Sequence, residues 1–175
     1  MQLRRLKVLD VTALLAIISA PLQAATIHVA IEIPRLDVAE YHRPYVALWV
    51  AQENHQVAMD LAVWYDLKMK DSEGEKWLKD MRQWWRRSGR SKVMPIDGVS
   101  GATRAPGKHQ LVFAADKSPL ENLPEGSYLL MVEAAREVGG REILQIPFSW
   151  PAEKPQVLQV EGESELGEIV LTLSP

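Results

Sequence analysis

The chain alternates polar and apolar residues over much of its length. Thr26-Ile27-His28-Val29-Ala30-Ile31-Glu32-Ile33 has the two-residue period of a strand with one buried face, and Pro34 ends it. Residues 45–51 and 57–65 are denser apolar runs on either side of a tight Glu53-Asn54-His55 turn. They read as a second and third strand, with Trp49 and Trp64 as core aromatics. Residues 110–114, 128–134, 142–148, 157–160 and 167–173 continue the series, with turns over 116–126 and 137–140. One stretch changes period. From Lys76 to Arg87, Trp77, Met81 and Trp84 recur at helical spacing, as do Leu78, Met81 and Trp85, which predicts a short amphipathic helix. Glu125-Gly126-Ser127-Tyr128, a glycine turn opening a tyrosine-led strand, is common in immunoglobulin-like sandwiches. The pattern therefore predicts an all-β fold: an immunoglobulin-like antiparallel β-sandwich of roughly seven to nine strands with one short amphipathic helix.

The first residues follow another rule. Arg4, Arg5 and Lys7 precede the apolar run 11–18, and Ser19, Ala20, Ala24 and Ala25 supply a small-residue exit. That is the layout of a secretory signal peptide, and the run is shorter than the roughly 20 residues a spanning helix needs. Cleavage is expected after Ala24, leaving residues 25–175 as a single periplasmic domain. Removal of three cations and Asp10 takes the formal net charge from −3 to −5. An acidic chain of this kind lacks the basic face that nucleic-acid binding requires. With no cysteine, disulfides, thiolate metal sites and cysteine nucleophiles are excluded.

The candidate chemistry lies in residues 97–107, Asp97-Gly98-Val99-Ser100-Gly101-Ala102-Thr103-Arg104-Ala105-Pro106-Gly107. Turn-forming residues dominate, so it reads as an exposed loop. Thr103 is an alcohol that a second enzyme's active site can enclose, with Gly101 and Ala102 removing bulk beside it. Asp97 and Ser100 can hydrogen-bond their own backbone and hold the turn. Arg104 can offset a phosphate charge, and Arg82, Arg86, Arg87, Arg90 and Lys92 make the preceding stretch the most basic in the chain. The helix is thus a candidate source of arginines for a phosphate and of a tryptophan face. Other chemistry is thin: His28, His42, His55 and His109 have no metal-ligand spacing, and no Gly-x-Ser-x-Gly, phosphate loop or dinucleotide fingerprint is present.

The spacing Asp-x-x-Ser-Gly-Ala-Thr is similar to the pattern by which a periplasmic flavin transferase recognises its acceptor threonine. Asp97, Ser100, Gly101, Ala102 and Thr103 all match it. The chain also resembles, over nearly all of the expected mature part, a family of exported bacterial proteins of unknown function predicted to be periplasmic and flavinylated. The matching stretches include Tyr41-His42-Arg43-Pro44-Tyr45-Val46-Ala47-Leu48-Trp49, Leu61-Ala62-Val63-Trp64-Tyr65 and Lys76-Trp77-Leu78-Lys79-Asp80-Met81-Arg82-Gln83-Trp84-Trp85-Arg86. The loop 97–107 and Val132-Glu133-Ala134-Ala135-Arg136-Glu137-Val138-Gly139-Gly140-Arg141 complete them. The resemblance implies covalent FMN on Thr103 through a phosphoester, installed by the flavin transferase. It also implies a PepSY-type membrane reductase as partner and a role in extracytosolic electron transfer, as a component rather than a complete enzyme. Val138 departs from the family pattern, standing where a histidine is expected. A second reading stays open: a cofactor-free periplasmic β-sandwich binding module for a protein, sugar or metal-handling partner, since this fold hosts many functions.

Overall fold

The structure, a computed structural model, describes residues 24–175; the expected signal peptide lies outside them except for its last residue, Ala24. Among the described residues, nine strands form two sheets. They are β1 (Thr26–Ile33), β2 (Tyr45–Gln52), β3 (Val57–Tyr65), β4 (Ser100–Ala102), β5 (Gly107–Ala114), β6 (Gly126–Ala135), β7 (Arg141–Trp150), β8 (Gln156–Glu161) and β9 (Glu168–Ser174). The four-stranded sheet has the order β5-β1-β9-β8 and the five-stranded sheet β4-β3-β2-β6-β7. Every pairing is antiparallel except that of β4 with β3, which is parallel. The expected antiparallel sandwich is thus present, with one short parallel strand added at its edge. A parallel neighbour needs a long crossover, and residues 66–99 supply one.

The sandwich expected from sequence is present, and its strand order makes it immunoglobulin-like. β2, β3, β6 and β7 take the places of strands C, C′, F and G in one sheet, and β1 and β5 those of B and E in the other. The place of strand A beside B is filled from the C-terminal end, by β9. The Tyr128 hydroxyl at the start of β6 donates to the Pro124 carbonyl at 2.9 Å, the tyrosine corner of such sandwiches.

Two apolar cores flank the five-stranded sheet. Between the sheets lie Ile27, Ile31, Leu48, Trp64, Leu130, Phe148 and Leu171 with their neighbours. On the outer face Trp49, Val63, Tyr65 and Met131 meet Leu78, Met81 and Trp84 from the crossover. β2 is therefore buried on both faces, which is why Val46-Ala47-Leu48-Trp49-Val50-Ala51 shows no alternation while β1 and β9 do.

The helix expected over 76–87 is corrected. An irregular 3₁₀ stretch (Lys70–Asp80) stops at Met81, and only α1 (Arg82–Arg87) is α-helical. Two causes act together. Leu78, Met81 and Trp84 are all fully buried, a three-residue spacing that a 3₁₀ path lines up on one face. The buried Glu133 carboxylate of β6 then accepts from the Gln83 and Trp84 amides at 3.0 and 2.7 Å, starting a new helix there. Asp60 of β3 holds the same turn to the sheet, accepting from the Trp84 indole N–H at 2.9 Å and the Ser88 hydroxyl at 2.6 Å.

Candidate functional site

Four chain segments converge at one end of the five-stranded sheet. Tyr45, first in β2, stands opposite Ala135, last in β6; Tyr65, last in β3, stands opposite Ala102, last in β4. The Tyr45 and Tyr65 rings meet edge-to-face at 6.2 Å. The chain that leaves these strands, with Trp77 from the crossover, encloses a cleft of about 500 Å³. Thr103 and Ala102 form part of its wall. Tyr41, Tyr45 and Trp77 give it aromatic surface, while Arg43, Lys68, Arg136, Asp66, Asp80 and Glu137 give it charges of both signs.

The loop carrying Thr103 is less free than its composition suggests. Ser100, Gly101 and Ala102 form an edge strand, fastened by Val63 N–H to the Val99 carbonyl at 3.0 Å and Thr103 N–H to the Tyr65 carbonyl at 3.2 Å. The expectation of a wholly exposed loop is therefore corrected: Thr103 is half-buried, though Ala102, Arg104 and Asp97 remain exposed. Ser100 holds the turn as expected, its hydroxyl accepting from the Ile96 amide at 2.9 Å, while the Ser100 amide donates to the Ile96 carbonyl at 2.9 Å. Asp97 sits on the exposed side of that turn beside Gly98, whose φ is +68°. Gly101 has a role the sequence did not suggest. A Cβ there would stand 3.2 Å from Cδ1 of Trp64, so glycine lets the strand lie against the indole. Arg104 places its guanidinium 5.2 Å from the Trp64 ring centroid, with His109 edge-on to the same ring at 5.8 Å.

The charged groups divide differently from their order in sequence. Arg82, Arg86, Arg87 and Arg90 are exposed on the crossover and are not among the residues lining the cleft; Lys92 reaches Asp60 at 3.8 Å. The cations that do reach it are Arg43 and Lys68, both exposed, and Arg136, whose side chain is only 6% exposed. Glu133, Arg136, Glu137 and Arg141 lie close together around the β6–β7 hairpin but do not form one cluster: Glu133 pairs with Arg141, and Arg136 turns elsewhere. Arg136 pairs with Glu165 through two hydrogen bonds of 2.8 and 3.1 Å, and Glu165 also accepts from the Gly140 amide at 2.7 Å. The Glu165 hydrogen bonds hold the Arg136 pKa above its ordinary value even against burial. Glu133 points to the opposite face, where it caps α1 and accepts from Arg141.

Two tyrosines of the cleft are kept neutral. Burial pushes the Tyr41 phenol above its ordinary pKa, with Arg136 pulling it part of the way back; burial likewise raises Tyr45. The Tyr41 hydroxyl is enclosed yet meets no hydrogen-bond partner among the described residues. At the mouth His42 contacts Glu40 at 2.9 Å and Glu137 at 3.5 Å. Sequence reasoning missed Tyr41, Arg43, Lys68 and Arg136 as site residues. For Tyr41, Arg43 and Arg136 the signal was present only as resemblance, in the stretches 41–49 and 132–141; Lys68 lies outside every matching stretch. Val138, at the histidine position of the pattern, is 78% exposed with φ +52° and does not line the cleft.

Fold and site together define an immunoglobulin-like sandwich whose C′–E connection has grown into a cleft-bearing insertion. The chain belongs to the family described as "Predicted periplasmic protein (DUF2271)", which matches residues 26–168. No curated protein and no solved structure matches it. The family description agrees with the export expected from the leader.

Proposed function

We propose that the protein is a periplasmic electron-transfer flavoprotein carrying FMN on Thr103. The observation that carries the reading is that the acceptor of a complete Asp-x-x-Ser-Gly-Ala-Thr motif lies in the wall of a cleft with aromatic and cationic surface. The residues suit the group: the alcohol for the ester, the exposed Arg43 and Lys68 in the cleft and Arg104 next in the chain, now resting on the Trp64 ring, for the phosphate charge, and a phenol without a partner among the described residues nearby. Attachment is a phosphoryl transfer. The Thr103 Oγ–P bond forms, the pyrophosphate bond of an activated flavin dinucleotide breaks, the mononucleotide leaves, and the hydroxyl proton passes to a base of the transferase. Bound FMN would supply reversible electron chemistry to a chain without thiols. A PepSY-type membrane reductase is the proposed electron source and an extracytosolic protein or small molecule the acceptor.

The experiment is intact mass after co-expression in the periplasm with an active flavin transferase. The wild-type protein is expected to gain one FMN less one water, with yellow colour that survives denaturation. Thr103→Val should abolish the gain and leave folding nearly intact, Thr103→Ser should keep part of it, and Asp97→Ala should reduce it through transferase recognition. An unmodified wild-type mass beside an active transferase would refute the cofactor reading and leave the binding module.

A further inference from the structure

We infer that the cleft beside Thr103 is the seat of the flavin ring, so that the tethered cofactor folds back against the end of the five-stranded sheet instead of trailing in solvent. The inference rests on the attachment proposed above and goes beyond it by assigning the ring its own protein contacts.

Size comes first. The cleft holds about 500 Å³, within the roughly 300–1,000 Å³ typical of small-molecule sites. Its wall already contains Thr103, so a group esterified there starts inside the cavity's perimeter. A tether also sets a local concentration on the order of millimolar, so weak contacts suffice to fill the seat.

The surface chemistry is that of a flat heterocycle with one polar edge. Trp77 is 44% exposed, although Leu78 beside it is fully buried; its indole has no core role and lies open on the cleft. Tyr41 and Tyr45 supply further aromatic surface. Tyr41 lines the cleft, and its hydroxyl is enclosed, protonated and without a partner among the described residues. Leaving such a donor unsatisfied is costly, which favours an occupant whose ring carbonyl can accept from it after a small turn of the phenol. Arg136 stands behind it, its carbon 6.0 Å from the Tyr41 ring centroid and its guanidinium fixed by Glu165. A bare anion site would not need the aromatic wall.

The test uses the full flavinylated protein and reads three quantities: intact mass, flavin fluorescence and midpoint potential. Aromatic side chains against the ring quench its emission. Native wild-type protein should therefore fluoresce several-fold less than the same sample digested to peptides. Trp77→Ala, a change at a half-exposed position, should recover much of that emission while the mass still shows FMN. Tyr41→Phe removes the donor that favours the more electron-rich reduced ring, so its potential should fall. FMN present by mass, but with emission unaltered by digestion and by both substitutions, would overturn the seat and leave Thr103 attachment standing. A wild-type mass without FMN would overturn the attachment and this inference with it.

Discussion

Glu133→Gln is the substitution that best tests how the insertion is held to the sandwich. Glu133 is fully buried; its Oε1 accepts from the Gln83 amide and Arg141, and its Oε2 from the Trp84 amide. A glutamine keeps the shape but has one acceptor oxygen. Its cheaper orientation puts that oxygen at Oε1, leaving its NH₂ facing the Trp84 N–H, donor against donor. An unsatisfied buried donor costs about 1–3 kcal/mol, and losing charge assistance in the two remaining bonds costs about 1 kcal/mol more. Arg141 is 34% exposed and can turn to water, which offsets part of this. The expected loss is about 2–4 kcal/mol, a fall of roughly 1–2 M in the urea midpoint at a typical slope for a chain of this size. Hydrogen exchange locates the effect: the Gln83 and Trp84 amides should exchange far faster, while those of β1 and β9 follow only the global loss. A loss under about 0.5 kcal/mol, or unchanged protection at Gln83 and Trp84, would refute the capping argument.

Other expectations concern the β6–β7 end of the molecule. Glu142 accepts from the amides of Glu163, Ser164, Glu165 and Leu166, and although burial opposes ionisation, the Glu163, Leu166 and Ser164 hydrogen bonds outweigh it and hold its pKa below the ordinary value. Its folded pKa being the lower, its contribution is complete above the unfolded value near 4.3 and lost as pH falls through the folded one. Glu142→Gln should therefore be less stable at neutral pH, with the gap to wild type closing as the solution is acidified below about pH 5; a gap that stays constant in acid unfolding curves contradicts this. Val138 holds a β-branched side chain at φ +52° while 78% exposed, so Val138→Asn should relieve left-handed strain of about 1 kcal/mol and raise Tm by roughly 2–4 °C in a thermal scan; no rise would mean the strain is absent.

Much of the sandwich could be read from the sequence because its strands obey local rules. β1 and β9 alternate since one face meets the core and the other does not, and Tyr128 was flagged by the glycine turn before it. β2 looked like a strand only by its β-branched and aromatic content, since burial on both faces erased the period. The helical stretch was misjudged because its path is set from a distance. Glu133 lies 49 residues from the Trp84 amide that it caps, and no local pattern encodes that. The same reason hid β4, three residues whose strand character comes wholly from β3. Within the site, Thr103 was legible as a motif, whereas Tyr41 and Arg136 reach the cleft from the entry to β2 and the exit of β6. Charge density misled in the opposite direction: the arginines nearest the loop in sequence are solvated, and the buried one belongs to a different hairpin.

The geometry of the insertion suits two demands that the proposed tethered redox group would make on Thr103. A transferase must enclose the acceptor, which requires an accessible segment. A ring that exchanges electrons reproducibly needs fixed surroundings, which requires a packed one. β4 meets both because it is an edge strand of three residues, paired only to β3, with Ala102 and Arg104 exposed on either side of Thr103. A few backbone hydrogen bonds hold it, so local opening is inexpensive beside global unfolding. The cleft itself draws on sterner elements: β2 and β6 are central in their sheet, and Arg136 is locked to Glu165. With the proposed acceptor on the yielding edge and the proposed ring contacts on the rigid centre, one chain could be modified in trans and still present a defined site afterwards.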